Sequence, residues 1–136
     1  MITIPIAPKP QSRPRFSRRN GRVRTYEESQ MTAYKRAIAY HVMAAKPEKI
    51  EKGPIMADIC FYVYPPKRIS EIKKHQPALL AETIACDKKP DLDNYFKAVT
   101  DAINGIMYKD DGQIAAMICR KVYSYDPRTE IEVTAL

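Results

Sequence analysis

Several residue types that mark other classes of protein are scarce in this sequence. It has no tryptophan, four glycines and three cysteines among 136 residues. The cysteines, Cys60, Cys86 and Cys119, form no C-x-x-C pair and their number is odd, which argues against a zinc site or a disulfide framework. We therefore expect all three to be ordinary buried or half-buried residues.

Long apolar runs are also missing. No run approaches the roughly 18 residues that cross a membrane, and the start, Met1 to Pro10, is too short and too interrupted by proline for a signal peptide. We expect a cytoplasmic protein with no membrane contact. The content of 45% hydrophobic and 29% charged residues is typical of a folded protein. The length fits a single domain over residues 1–136.

The charge is strongly positive and unevenly distributed. The formal net charge is +7 and the pI about 9.3, which indicates a polyanionic partner without choosing between DNA, RNA and a membrane surface. One early stretch contains only basic charges: Lys9, Arg13, Arg15, Arg18, Arg19, Arg22 and Arg24. Arginine predominates there, and its planar fork grips phosphate with two hydrogen bonds at once.

Hydrophobic periodicity predicts the order of the helices and strands. A short strand carries Ile2, Ile4 and Ile6, and an arginine-rich loop follows from Pro8 to Thr25. The remaining predicted elements are a helix from about Thr25 to Lys46, a strand from Pro54 to Tyr64, a long polar connection from Lys67 to Pro90 with a short helix at Ser70 to His75, a helix from Asp91 to Asn104, and two strands, Ile114 to Tyr125 and Thr129 to Val133, joined as a hairpin at Asp126-Pro127.

The sharpest local motif is Lys88-Lys89-Pro90-Asp91-Leu92-Asp93-Asn94, at the predicted start of a helix. Two carboxylates lie two residues apart, and Asp93, Lys97, Asp101 and Asn104 form a polar stripe at helical spacing. Aspartate is also common at helix starts, where it caps the backbone, and Asp93 with Lys97 could be a surface ion pair. The motif alone does not choose between a metal site and a capped helix.

A second acidic pair, Asp110-Asp111, follows that helix. A helix of about fourteen residues is roughly 21 Å long, so the returning chain must run back along it before Asp111 could approach Asp91 and Asp93. The alternative is that Asp-Asp-Gly is an ordinary turn. Spacing alone leaves both interpretations open.

These motifs together resemble the RusA family of Holliday junction resolvases. The resemblance rests on Pro8-Lys9-Pro10-Gln11-Ser12-Arg13-Pro14-Arg15 with Arg24-Thr25-Tyr26, on Lys89-Pro90-Asp91-Leu92-Asp93-Asn94 with Lys97-Ala98, Asp101-Ala102 and Asn104-Gly105, and on Lys109-Asp110-Asp111 with Gln113-Ile114. It touches both ends of the chain and covers most of it, although the connection from Lys67 to Asp87 carries no family motif.

The resemblance implies a small α/β (α+β) protein, with a mixed sheet and two main helices, that acts as a homodimer on four-way junction DNA in recombination and repair. It implies Mg²⁺ held by Asp91, Asp93 and Asp111, with Lys97 as a functional lysine. The spacing to the last aspartate is about one residue short, so Asp110 remains an alternative to Asp111. Many members of the family come from prophages, which suits a small recombination enzyme.

A DNA substrate would also explain the basic residues, because cations that pair with phosphates release counterions and read backbone shape. The candidates are Arg13, Arg15, Arg18, Arg22, Arg24, Lys73, Lys74, Lys88 and Lys89. Tyrosines could stack on unpaired bases, but we expect Tyr62 and Tyr64 to pack within the sheet. Two other functions stay open: a non-catalytic DNA-binding module, whose aspartates are caps and turns, and a Mg²⁺ nuclease for flaps or other branched DNA.

Overall fold

The computed structural model describes residues 1–11, 15–19, 22–26 and 29–136, with 15–19 and 22–26 described by their backbone alone. In this part of the chain a four-stranded mixed sheet, a two-stranded sheet and four α-helices form an α+β fold, as predicted. None of the described helices is long and apolar enough to cross a bilayer.

The helices and strands have the following bounds. The strands are β1 (Ile2–Ile4), β2 (Arg15–Arg19), β3 (Arg22–Tyr26), β4 (Ile55–Val63), β5 (Ile114–Tyr123) and β6 (Arg128–Ala135). The helices are α1 (Ser29–Ala44), α2 (Lys67–Ser70), α3 (Gln76–Leu80) and α4 (Leu92–Ile103), with 3₁₀ turns at Lys73–His75 and Asp111–Gln113.

The larger sheet has the strand order β1-β6-β4-β5. β4 pairs in parallel with β5 and antiparallel with β6, so that Ile59 lies opposite Cys119 on one side and Ile131 on the other. The predicted hairpin of the last two strands is therefore wrong, because β4 lies between them. β4 is the most buried strand and needs a partner along both edges to satisfy its backbone groups.

The core lies between one face of this sheet and the two long helices. On β4, Ile55, Ile59 and Phe61 are fully buried, as the alternating pattern predicted. Helix α1 contributes Met31, Tyr34, Ile38 and Val42, and α4 contributes Tyr95, Ala98, Val99 and Ile103. The rings of Phe61 and Tyr95 stack with centroids 5.2 Å apart, which ties the first turn of α4 to the sheet.

The arginine-rich stretch contains a hairpin instead of the predicted loop. β2 and β3 pair antiparallel from Arg15 opposite Tyr26 to Arg19 opposite Arg22. Asn20 and Gly21, which lie outside the described residues, separate the two strands in sequence, and Asn-Gly is a strong sequence signal for a hairpin. Because Thr25 belongs to β3, helix α1 begins later than predicted, at Ser29.

The connection after β4 is more helical than predicted. The expected helix at Ser70 to His75 is replaced by α2 before it and α3 after it, with the 3₁₀ turn between them. Proline at the second position of α3 fits a helix start.

An ionic cluster fixes this connection to β6. The Arg128 guanidinium donates to both Glu82 oxygens, at 2.7 and 2.9 Å, and to Glu130 at 3.1 Å. The same guanidinium lies 3.7 Å from the centre of the Tyr62 ring. The hydrogen bonds from Arg128 to Glu82 hold the pKa of Glu82 below its ordinary value.

The three cysteines are free thiols, as expected, with Cys60 buried and Cys86 and Cys119 half-buried. Burial raises the pKa of Cys119 to about 12, so its thiol stays protonated at neutral pH.

Candidate active site

The predicted acidic motif lies at the start of α4. Asp91 occupies the N-cap position with extended backbone, but its side chain makes no capping hydrogen bond. Asp93 lies in the first turn, and both aspartates are exposed. The predicted N-cap position of Asp91 is confirmed, but its carboxylate does not cap the helix. Two exposed carboxylates therefore stand two residues apart.

The chain entering α4 is held from two sides. Lys121 on β5 donates to the carbonyl of Lys88 and, at 2.8 Å, to the carbonyl of Pro90. The backbone N–H of Gln11 donates to the carbonyl of Asn94 at 2.8 Å. Sequence reasoning missed Lys121, because nothing in the pattern of a strand lysine reveals which distant carbonyls it will meet. The contact from Gln11 places the beginning of the arginine-rich stretch beside the acidic motif.

Lys97 pairs with an aspartate further along α4. Its ammonium lies 3.0 Å from one oxygen of Asp101, and Lys35 on α1 lies 3.3 Å from the other oxygen. The polar stripe is thus real, but the ion pair joins Lys97 to Asp101 and not to Asp93. The Lys97 side chain remains 63% exposed while Asp101 is 26% exposed, so the aspartate anchors a lysine that solvent and substrate can still reach.

The later acidic pair divides into two roles. Asp110 caps the 3₁₀ turn: its carboxylate accepts from Gly112 N–H at 3.0 Å, and Gln113 accepts from the N–H groups of Lys109 and Asp110. This is the capping arrangement that satisfies exposed backbone donors. One oxygen of the exposed Asp110 carboxylate, Oδ2, is therefore used within the turn.

Asp111 is held by a buried tyrosine. The hydroxyl of Tyr108 lies 2.7 Å from Oδ1 of Asp111 and 3.0 Å from the carbonyl of Thr100. Tyr108 has no exposed surface. Its burial is the largest cause that raises the pKa of its hydroxyl, and its hydrogen bond to Asp111 is the second. The Tyr108 hydroxyl therefore stays protonated and has one hydrogen to donate. Asp111 is the preferred acceptor, because its contact is the shorter one and a carboxylate accepts a stronger hydrogen bond than a carbonyl.

The predicted ligands do not all lie together. Asp111 is tied through Tyr108 to Thr100, which lies seven residues after Asp93, about 10 Å along the helix axis. Within the described residues, no three His, Cys, Asp or Glu side chains are grouped closely enough to hold a metal ion. Mg²⁺ is commonly held by one or two carboxylates, with waters and substrate phosphates completing its shell. The exposed pair Asp91 and Asp93 fits that requirement.

The predicted basic residues lie in three separate parts of the chain. Lys88 and Lys89 are exposed and lie three and two residues before Asp91, and Lys73 and Lys74 are exposed on the 3₁₀ turn. Arg13 lies outside the described residues. Arg15, Arg18, Arg22 and Arg24 belong to β2 and β3, whose side chains are not described.

Comparison with known proteins completes the description of the site. A family model described as "Endodeoxyribonuclease RusA" matches residues 5–134. The chain is also similar to the "Uncharacterized protein YqaN" of Bacillus subtilis (strain 168), with 36% identity over 132 residues that cover 97% of this chain and 93% of that protein. Both matches extend over the hairpin, the acidic motif and the closing strands.

Proposed function

We propose that this chain, which belongs to the RusA family of endodeoxyribonucleases, resolves four-way (Holliday) junctions by Mg²⁺-dependent, paired and symmetric nicks. The family indicates a nuclease of the resolvase type. The observation that supports Mg²⁺-dependent cleavage is the exposed pair Asp91 and Asp93. Both residues lie at the start of α4, and the Asp91 side chain does not cap the helix.

We propose that Asp91 and Asp93 hold the metal, and that Asp111 is a third ligand although it does not form one group with them in this structure. When bound, Mg²⁺ supplies an activated water and neutralises charge on the scissile phosphate. Asp110, whose Oδ2 accepts from Gly112 within the turn, stays the alternative third ligand. Tyr108 keeps one oxygen of Asp111 in place, and the other oxygen is available to a cation or to water.

Lys97 has a separate part in the proposal. A phosphodiester gains negative charge as it is attacked, and a cation fixed in advance stabilises that charge without having to reorganise. Lys97 is fixed by Asp101 and stays exposed on the same helix as the aspartates. Lys88 and Lys89, beside the motif, would grip neighbouring phosphates.

The proposal includes a homodimer on junction DNA. Two strands of like polarity must be cut to leave repairable duplexes, and a two-fold dimer presents two identical sites to them. β5 is the edge strand of the four-stranded sheet. The segment from Ile84 to Cys86 covers its end by backbone hydrogen bonds to Lys121 and Tyr123, and before this end two large apolar side chains are exposed, Met117 at 57% and Ile118 at 45%. An exposed apolar edge strand is a suitable surface for a second copy of the chain.

The test is cleavage of a labelled four-way junction, a flapped duplex and a linear duplex of matched sequence, in Mg²⁺ and in EDTA. We expect paired nicks that require Mg²⁺, prefer the junction and disappear in Asp93→Asn. Asp126→Asn is the matched control, because Asp126 is an exposed aspartate outside the motif and should cleave as wild type does. Tight binding without cleavage in any metal would refute the nuclease, and preference for the flap would refute the resolvase.

A further inference from the structure

A cavity of about 430 Å³ opens beside the acidic motif. The residues that give it its chemistry are Tyr64, Arg68, Cys86, Lys88, Lys89 and Tyr123, and we name it the tyrosine pocket. Tyr95, in the first turn of α4, closes one wall. Since Lys89 comes two residues before Asp91 and Tyr95 two residues after Asp93, the pocket adjoins the candidate active site.

Aromatic rings form much of the wall. Tyr95 and Tyr123 are 5% and 3% exposed, so their positions are fixed by packing. Tyr64 was expected to pack within the sheet, but it follows the last residue of β4 and is 60% exposed. Its ring meets that of Tyr125 edge to face, with centroids 5.9 Å apart, which holds it at the mouth of the pocket. An exposed ring held by a second ring offers a flat surface for stacking.

The charged residues that line the pocket are all basic, and Asp87 acts on Tyr123 from outside this lining. Arg68, Lys88 and Lys89 are exposed, and within the described residues no aspartate or glutamate lines the cavity. The pKa of Tyr123 is raised to about 12, mainly by burial and next by a hydrogen bond with Cys86. This phenol therefore adds no negative charge at neutral pH. The pocket thus combines aromatic surface with an excess of positive charge.

We infer that the tyrosine pocket binds one unstacked nucleotide of the DNA substrate, with the base against tyrosine and the phosphates against the arginine and lysines. This rests on the proposed function, which brings branched DNA to the adjacent aspartates. The cavity lies within the range of about 300–1,000 Å³ that is usual for ligand pockets. A base leaves its stack most easily where pairing or stacking is already interrupted, so the occupant comes from the branch point.

Cys86 allows a test that does not depend on cleavage. In EDTA, the protein is mixed with a junction that carries, on one base, a tether ending in a mixed disulfide. The Cys86 thiolate attacks this disulfide, forms a new S–S bond to the DNA and releases the small thiol. We expect cross-linking when the tether is on a base at the branch, and none when it lies in an arm or in a linear duplex. Cys86→Ser, which keeps Cys60 and Cys119, is the control and should not cross-link.

A second measurement addresses stacking directly. Fluorescence anisotropy in EDTA should give junction binding that is about tenfold weaker in Tyr64→Ala than in wild type, because one base–ring stack is lost. Tyr64→Phe keeps the ring and should bind as wild type does. Tyr40→Ala is the matched control, since Tyr40 is 69% exposed on α1 and outside the pocket.

The results separate this inference from the proposed function. If the protein nicks junctions in Mg²⁺ but Cys86 cross-links no branch base, or Tyr64→Ala binds normally, the pocket inference is overturned and the nuclease stands. If Cys86 cross-links the branch base and no branched DNA is cut in any metal, the pocket stands and the nuclease is refuted. Failure to bind junctions at all overturns both.

Discussion

At the scale of single residues, the site depends on side chains that hold other side chains. Tyr108 fixes Asp111, Asp101 fixes Lys97, and Lys121 fixes the backbone before Asp91. None of these supporting residues would need to touch the DNA. Their loss should therefore change the chemical step more than it changes the affinity for DNA.

Tyr108→Phe removes one hydroxyl from the core and frees Asp111. We expect a lower kcat, a higher Mg²⁺ concentration for half-maximal cleavage, and an unchanged affinity for the junction in EDTA. The free energy of unfolding should fall by about 1.5–3 kcal/mol, the usual contribution of a hydrogen bond to a charged group. Titration of cleavage against Mg²⁺ and urea denaturation measure the two effects. An unchanged Mg²⁺ requirement would mean that Tyr108 is structural only.

Lys97→Met keeps most of the side-chain length and removes the charge. We expect kcat to fall by about 10²–10³-fold, as for the loss of one fixed group that stabilises transition-state charge. Lys35→Met is the matched control, because Lys35 contacts the other oxygen of the same Asp101 from α1. Single-turnover cleavage of a junction compares the two variants. Equal losses in both would assign the effect to Asp101 and its ion pairs, not to Lys97.

At the scale of the elements, the sequence predicted those with strong periodicity and failed where long-range pairing decides. The alternation of β4 and the apolar face of α4 were sufficient to identify both. The partners of β5 and β6 were not, because an alternating pattern gives a strand its faces but not its neighbours. The candidate aspartates were identified from motif spacing, whereas the contacts of Lys121 and Tyr64 are visible only in the folded chain.

The attachment of the α2–α3 connection to β6 is testable through Glu82. Glu82→Gln should lower the free energy of unfolding by about 1.5–3 kcal/mol at pH 7, since the charged pair with Arg128 is lost. The folded-state pKa of Glu82 lies below its ordinary value of 4.5, so its contribution is present above that value and disappears as the pH falls through the lowered pKa. Urea denaturation at pH 7 and at acid pH should show the difference between variant and wild type shrinking. A constant difference would exclude the ion pair as its cause.

At the scale of the whole molecule, the exposed edge of β5 bears on the proposed dimer. Met117→Lys places a charge in the middle of this apolar edge and should shift the protein toward monomer at micromolar concentration. Met43→Lys is the matched control, because Met43 is 56% exposed on α1 and should leave the oligomeric state unchanged. Analytical ultracentrifugation measures the shift. The cleavage pattern should change from paired nicks to single nicks if the same edge joins the two sites.

The position of β6 between β1 and β4 has a consequence for synthesis of the protein. A ribosome makes the chain from its amino end, and β6 follows every other described strand and helix. Until it emerges, β1 has no strand to pair with and β4 lacks one of its two neighbours. Completion of the sheet is therefore a late, long-range event, and a nascent chain that stalls before Arg128 would carry the acidic motif without the finished scaffold that supports it.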